Sequence, residues 1–160
     1  MKTKTFFVLC LLSGLGLTQL FAQNGKNGTG SITYEYVWTP DYCVPVYNSN
    51  GVKVDILGQG TVFFHHVSHF VNWVEIWGKC KGFGEAISVG FEDDYGNIIV
   101  GTGEVFRVQE IDKCDLTEML GVCHVNLIGN QGSHYIETFL IDPVTGELIF
   151  VSAISVGNNK

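Results

Sequence analysis

Apolar and polar residues alternate along most of the chain with a period of two. Ile32, Tyr34, Tyr36 and Trp38 occupy every second position of the first such segment. A strand with this spacing carries the aromatic side chains on one face. The same reasoning predicts further strands over 52–57, 83–91, 98–108, 122–128, 135–141 and 147–155.

Turn-forming residues separate these segments. Residues 93–97, 129–132 and 142–146 are rich in Asp, Asn, Gly or Pro, as tight turns between strands require. Residues 39–50 contain two of the three prolines and are predicted to form a long loop. Residues 115–120 are the single helical candidate, one or two turns long with Asp115 as the cap.

Residues 61–77 fit two interpretations. Phe63, Val67, Phe70, Val74 and Trp77 recur at helical spacing. The segment is nevertheless dominated by β-branched and aromatic residues and contains no Ala, Leu, Lys or Arg, which favours strand. We therefore predict one long bent strand or two short ones, with helix as the alternative.

The predicted fold over 31–160 is a single all-β domain, a small antiparallel β-barrel with a β-sandwich as the alternative. Gly101 and Gly103 lie inside one predicted strand, and such glycines favour a strongly curved sheet. In general texture the pattern is similar to small calycin-like or allene-oxide-cyclase-like barrels. That similarity concerns the texture of the fold alone and assigns no residue a role.

The first 22 residues have the pattern of a signal peptide. Lys2 and Lys4 precede an apolar stretch of signal-peptide length, and small and polar residues then lead to Ala22, the expected last residue before cleavage. Residues 23–30 are predicted to be a flexible lead-in, and Asn27 begins a glycosylation sequon. We therefore expect a secreted protein, extracellular or periplasmic, with no membrane span in the mature chain.

The net charge excludes one class of partner. The formal net charge is −7, and loss of Lys2 and Lys4 leaves seven basic against 16 acidic residues, a net charge of −9. Nucleic acids and anionic membrane surfaces require clustered Lys and Arg. We therefore predict no nucleic-acid partner and expect a small molecule or an extracellular protein instead.

Export determines how the cysteines are interpreted. Cys10 lies in the signal peptide, and four cysteines remain in the mature chain, Cys43, Cys80, Cys114 and Cys123. An even number in an oxidising compartment predicts two disulfides, and we favour Cys114–Cys123 and Cys43–Cys80. Free thiols and a thiolate metal site are the alternatives, but the spacing does not resemble that of a zinc module.

Candidate catalytic or metal-binding chemistry centres on histidines. His65, His66 and His69 fall within five residues, and His65 and His69 share a face in either a strand or a helix, whereas His66 points away on a strand. On a continuous strand, Glu75 is an even number of residues from both histidines and would share their face. His124 or His134 is a candidate further metal ligand from another strand, although partly buried structural histidines are the favoured interpretation.

Other motifs carry less chemistry. Glu92, Asp93, Asp94 and Asn97 form an acidic turn without the spacing of a calcium loop, so solvated charges are the favoured interpretation. No Gly-x-Ser-x-Gly, phosphate loop or dinucleotide fingerprint is present, and no cofactor is predicted. For the aromatic residues core filling is the favoured interpretation. The candidates for ligand contact are Tyr36, Trp38, Trp73 and Trp77.

These features favour a secreted, disulfide-stabilised binding module for a small apolar or carbohydrate-like ligand or a surface partner. The alternative from another class is a metal-dependent or acid–base enzyme, an isomerase or cyclase, centred on His65, His69 and Glu75. A structural extracellular protein without a small ligand is the third possibility.

Overall fold

The strands of this protein are long, antiparallel and joined mostly by tight turns. A computed structural model describes residues 28–142, 145 and 147–156, with the side chains of 40–42 outside that description. The strands are β1 (Gly30–Tyr47), β2 (Lys53–Val71), β3 (Val74–Ser88), β4 (Gly90–Glu92), β5 (Ile98–Val100), β6 (Val105–Asp115), β7 (Leu120–Gly129), β8 (His134–Ile141) and β9 (Leu148–Ser155).

Seven strands form one sheet in the order β1-β2-β3-β6-β7-β8-β9, and β4 and β5 form a separate two-stranded ribbon. All neighbouring strands are antiparallel, which confirms the all-β prediction. No closed barrel is formed by the described strands, because no ladder joins β1 to β9. No helix in the described part of the chain has the length and apolar character needed to cross a membrane.

The main sheet is curved enough to cover part of its own inner face. Register shifts interrupt β1 between Trp38 and Val44 and interrupt β2 between Gly58 and Thr61. Such bulges bend a strand and increase its twist. Beyond the bend, Tyr47 at the end of β1 stacks on Phe150 of β9, with ring centroids 4.2 Å apart. The two ends of the sheet therefore meet across the core.

The buried core follows alternation in β6, β7 and the middle of β8. In β6, Phe106 and Val108 are at most 3 % exposed, and Val125 and Leu127 of the adjacent β7 are at most 1 % exposed. Further along the chain, Phe139 of β8 is also buried, whereas the residues between these positions face outward. In each of these strands, every second side chain therefore points to the same face of the sheet, where the core lies.

One prediction about the first half of the chain is corrected and another is confirmed. Residues 39–50 are not a long loop, because β1 continues to Tyr47 and only the turn around 48–52 follows. β1 lies at the edge of the sheet, where proline is tolerated. Residues 61–77 are strand rather than helix, interrupted by a two-residue turn at Asn72 and Trp73. Both turn residues have positive φ, 52° and 67°, as the tight turn of a twisted hairpin requires.

The predicted helix over 115–120 is absent. Residues 116–119 are the turn between β6 and β7, and the ladder resumes at once with Asp115 opposite Leu120. Asp115 does cap this turn, since its Oδ1 accepts hydrogen bonds from the backbone N–H groups of Thr117 and Glu118. The predicted strand 98–108 is likewise divided into β5 and β6, with Gly101 and Gly103 between them.

Several predictions lie outside the described residues. These are the signal peptide 1–22, most of the lead-in 23–30, the sequon residue Asn27 and part of the turn 142–146.

Candidate functional site

His65 and His69 lie on the outer face of the sheet, each engaged by a residue of β1. His65 Nδ1 is 3.3 Å from Glu35 Oε1. His69 Nδ1 is 2.9 Å from Ser31 Oγ, and its ring stacks on Trp77 with centroids 5.5 Å apart. Each histidine therefore has its own surface partner, and neither histidine belongs to a group of three potential metal ligands among the described residues.

Glu75 does not join His65 and His69. The hairpin turn and a register shift between His69 and Phe70 separate it from them, so parity counted along one strand does not apply. Glu75 Oε1 and His66 Nε2 would both lie 3.2 Å from a Cβ atom built on the inward-facing Gly78. Glu75 therefore shares its surroundings with His66, the histidine that the sequence-based site left aside.

His124 and His134 also remain apart from the other histidines. His124 Nδ1 is 3.1 Å from Thr138 Oγ1, and His134 Nε2 is 2.8 Å from Asn126 Oδ1. His124 lies three strands from His65 in the same outer row, about 14 Å away at normal strand spacing. The structure thus forms no metal site from His65, His69 and His124.

The aromatic residues proposed for ligand contact lie in different places. Tyr36 and Trp38 pack against the core, and the Tyr36 ring stacks on Phe64 at 4.9 Å. Trp73 is 80 % exposed at the hairpin turn, and Trp77 is 39 % exposed on the outer face. They therefore do not form one ligand site.

A different aromatic group forms a depression on the outer face. Val37, Phe63 and Phe83 are direct cross-strand neighbours on β1, β2 and β3. The Phe63 and Phe83 rings stack with centroids 6.0 Å apart and remain 48 % and 62 % exposed. With Glu35 and His65 they line a cavity of about 240 Å³. We call these five residues the outer aromatic groove.

The acidic turn 92–97 uses its carboxylate to hold its own backbone. Asp93 Oδ1 accepts hydrogen bonds from the N–H groups of Tyr95 and Asn97, at 2.9 and 2.8 Å, and Asp93 Oδ2 accepts one from Asn97 Nδ2. The Asn97 side chain is the main cause that lowers the pKa of Asp93. These hydrogen bonds stabilise the turn, and no bound cation is needed to explain its conformation.

The inner face carries a polar cluster that the sequence analysis missed. Glu110 and Asp112 are two residues apart on β6, and Cys123 lies directly opposite Asp112 on β7. Each offers one ligand atom, and these three atoms lie within 4.8 Å of one another. The residues are 3 %, 8 % and 1 % exposed. We call Glu110, Asp112 and Cys123 the inner acidic–thiol cluster. Alternation along β6 could have revealed this cluster. Phe106 and Val108 face the core, and the next two inward-facing positions of β6 are Glu110 and Asp112.

None of the four thiols forms a disulfide in the structure, which corrects the disulfide prediction. Cys114 and Cys123 occupy diagonal positions on β6 and β7, where Cα atoms lie about 7–8 Å apart, beyond the usual disulfide range. Cys80 pairs with His66 on β2, whereas Cys43 follows Tyr42, which pairs with Gly60 on β2. Gly60 and His66 are six residues apart along that strand. Six strand residues span about 20 Å, so Cys43 and Cys80 cannot bond.

The thiols of Cys80 and Cys114 lie close to carboxylates, and the pKa of each is raised. Burial is the main cause that raises the pKa of Cys80 to about 12, and the charges of Asp112 and Glu110 add to that shift. Burial, followed by the charges of Asp112 and Glu75, raises the pKa of Cys114 to about 11. Burial likewise raises the pKa of Asp112. Side-chain hydrogen bonds with Cys123 and Glu110 oppose that shift in Asp112.

His66 is the buried histidine of this face. It is 2 % exposed, its Nε2 lies 3.0 Å from Ser68 Oγ, and its ring stacks on Tyr34 at 4.6 Å. Its Nδ1 has no hydrogen-bond partner among the described residues. Burial, and then the charge of His65, lower the pKa of His66 to about 4. His66 is therefore neutral at physiological pH.

Comparison with known proteins gives no further guide to this geometry. No family model, no curated protein and no solved structure matches the chain.

Proposed function

We propose that the chain is a secreted binding module built on a barrel-like sheet, and that the outer aromatic groove holds a neutral sugar ring. The observation that supports this proposal is the stacked, half-exposed pair Phe63 and Phe83 beside the polar pair Glu35 and His65. A binding site typically combines apolar surface with a few placed polar groups. The groove has both.

The chemistry of the groove matches a ring with one apolar face. Such a ring stacks on Phe83 or Phe63 through its C–H face, as aromatic side chains do with other flat apolar groups. Its hydroxyl groups then donate to the Glu35 carboxylate and exchange hydrogen bonds with the His65 imidazole. A purely apolar ligand would displace water from both polar groups without replacing the hydrogen bonds that they make to it, and this favours a sugar over a lipid.

Calorimetric titration with neutral oligosaccharides, cellotetraose and laminaritetraose, tests this proposal. We expect saturable binding to one of them, with loss of at least about tenfold in affinity for Phe83→Ser, since one stacking contact contributes about 1.4 kcal/mol. Val100→Ser is the matched control, because Val100 is 82 % exposed on β5, outside the groove. Saturable binding of the neutral dye N-phenyl-1-naphthylamine instead would support the apolar-ligand alternative. Binding of none of the three probes would contradict the proposal.

The enzymatic alternative is not favoured by the geometry, since His65 and His69 have separate partners and Glu75 lies with His66. Secretion remains part of the proposal and rests on the pattern of residues 1–22. Intact mass measurement of protein expressed with its own leader tests it, and we expect a chain that begins at Gln23. A full-length chain retained inside the producing cell would contradict secretion.

A further inference from the structure

The inner acidic–thiol cluster places three potential metal ligands around one point. Asp112 lies at the centre, with Glu110 two positions along the same strand and Cys123 directly across the ladder. One ligand atom from each residue lies within 4.8 Å of the other two. Two carboxylates and one thiol, each able to lose its proton, supply both oxygen and sulfur ligands.

An unpartnered atom marks the same place independently. Asp112 is 8 % exposed, and its carboxyl group forms hydrogen bonds with Cys123 and Glu110, but its Oδ1 has no hydrogen-bond partner among the described residues. Buried carboxylate oxygens almost always have a partner, because leaving one without hydrogen bonds costs about 1–3 kcal/mol or more. The residue that lies between Glu110 and Cys123 therefore has an acceptor oxygen available to a further group.

Within the described part of the chain, no Lys or Arg side chain reaches this face. The five basic residues in the described part of the chain, Lys53, Lys79, Lys81, Arg107 and Lys113, are all outside the buried core. On β3 and β6 they occupy positions of outward parity, so their side chains leave the sheet on the side opposite to Asp112. Buried charges are normally paired or bound to metal. A cation would therefore be the missing partner.

We propose that the inner acidic–thiol cluster is a zinc-type metal site with Glu110, Asp112 and Cys123 as its protein ligands. Zn²⁺ accepts both thiolate sulfur and carboxylate oxygen, whereas Ca²⁺ and Mg²⁺ take oxygen ligands. Three protein ligands leave a fourth coordination position for water. On binding, Cys123 and any protonated carboxyl group lose their protons to solvent, and the metal takes their place.

The strand ends provide a route to the cluster. The next inward row toward the hairpin tips contains Ser68, Gly78, Cys114 and Gly121, all small residues. Cys114 is partly exposed, so solvent reaches this row. The side chains of Glu75 and His66, which lie over Gly78, are the larger groups beside this row.

Titration of the reduced full chain with Co²⁺ tests the proposal without any substitution. Co²⁺ takes the place of Zn²⁺, and a thiolate ligand produces a charge-transfer absorption band in the near ultraviolet. We expect one equivalent of Co²⁺ to bind, the band to appear, and one equivalent of Zn²⁺ to remove it. A folded wild-type chain that gives no band at saturating Co²⁺ would overturn the proposal.

Variants then identify the ligands. Cys123→Ser should abolish the band and lower Zn²⁺ affinity at least about 100-fold, since even outer-shell partners contribute about 10- to 100-fold. Asp112→Asn should keep the band but weaken binding. Cys80→Ser is the matched control, because Cys80 is an equally buried thiol on the other side of Asp112 whose Sγ lies 3.6 Å from Tyr36 Oη. A band that survives Cys123→Ser but disappears in Cys80→Ser would refute the assignment. Circular dichroism confirms that each variant is folded.

Discussion

Replacement of Glu137 by Gln should make the protein more stable at neutral and alkaline pH. Glu137 on β8 is completely buried, and its Oε1 accepts a hydrogen bond of 2.5 Å from the backbone N–H of Tyr47 on β1. Its Oε2 has no partner among the described residues. Glutamine keeps the acceptor for Tyr47 and removes the ionisable group, so the variant isolates the effect of charge.

The magnitude follows from proton linkage. Burial raises the pKa of Glu137 from 4.5 to about 7, and the Tyr47 hydrogen bond opposes that shift only in part. The native carboxyl group therefore binds its proton more tightly than the unfolded one. Its contribution to stability is complete below pH 4.5 and is lost as the pH rises through 7. The difference corresponds to about 3 kcal/mol.

The wild-type pH profile alone does not reveal this effect, because His66 acts in the opposite direction. The pKa of His66 is lowered from 6.5 to about 4, so its contribution to stability rises between those two pH values. The two effects overlap and largely cancel between pH 4.5 and 6.5. The comparison of variant with wild type removes the His66 contribution, which both proteins share.

Urea unfolding followed by tryptophan fluorescence at pH 4.5, 6, 7 and 8 measures the difference. We expect Glu137→Gln to match the wild type at pH 4.5 within about 1 kcal/mol and to exceed it by about 3 kcal/mol at pH 8. Glu118→Gln, at an exposed turn position, is the control for the change in net charge. A Glu137→Gln difference that stays constant across this pH range would refute the reasoning.

Three further predictions concern single positions. Gly84→Ala should destabilise the fold by about 3 kcal/mol in urea unfolding, because the new Cβ would overlap the Thr61 carbonyl oxygen on β2; an unchanged midpoint would contradict the close approach of these strands. Trp73→Gly should stabilise the hairpin by about 1 kcal/mol, since its φ of 67° suits glycine; a lower melting temperature would show that the indole contributes more than this strain costs. Cys43 is exposed and Cys80 buried, so a maleimide should modify native Cys43 quickly and Cys80 only after unfolding, as peptide mapping would show; the absence of Cys43 labelling without prior reduction would indicate a disulfide.

The local structure of this chain could largely be predicted from sequence. Alternation predicted most strands, and the turn formers at 93–97 and 129–132 predicted two of the turns between strands. Two strands over 61–77 were one of the predicted forms, but the turn at Asn72 and Trp73 was not located, because Trp is an unusual residue at a position of positive φ. The helix at 115–120 was wrong because Asp115 caps a four-residue turn with the same hydrogen bonds that it would give a helix.

The candidate sites depended on information that alternation does not contain. Alternation along one strand correctly places His65 and His69 together on the outer face. It does not predict which face a residue occupies beyond a turn or a bulge. A shift of one residue moves every later side chain to the opposite face. The bulge after His69 is such a shift, and with the turn that follows it separates Glu75 from that pair.

By itself, the sequence determined that the chain forms antiparallel strands and which positions within each strand share a face, because both follow from a period of two and from local turn chemistry. Only the tertiary structure decided which strands are neighbours and in what register. Register depends on hydrogen bonds between segments distant in sequence. That register places Cys123 opposite Asp112 and thereby assembles the inner acidic–thiol cluster.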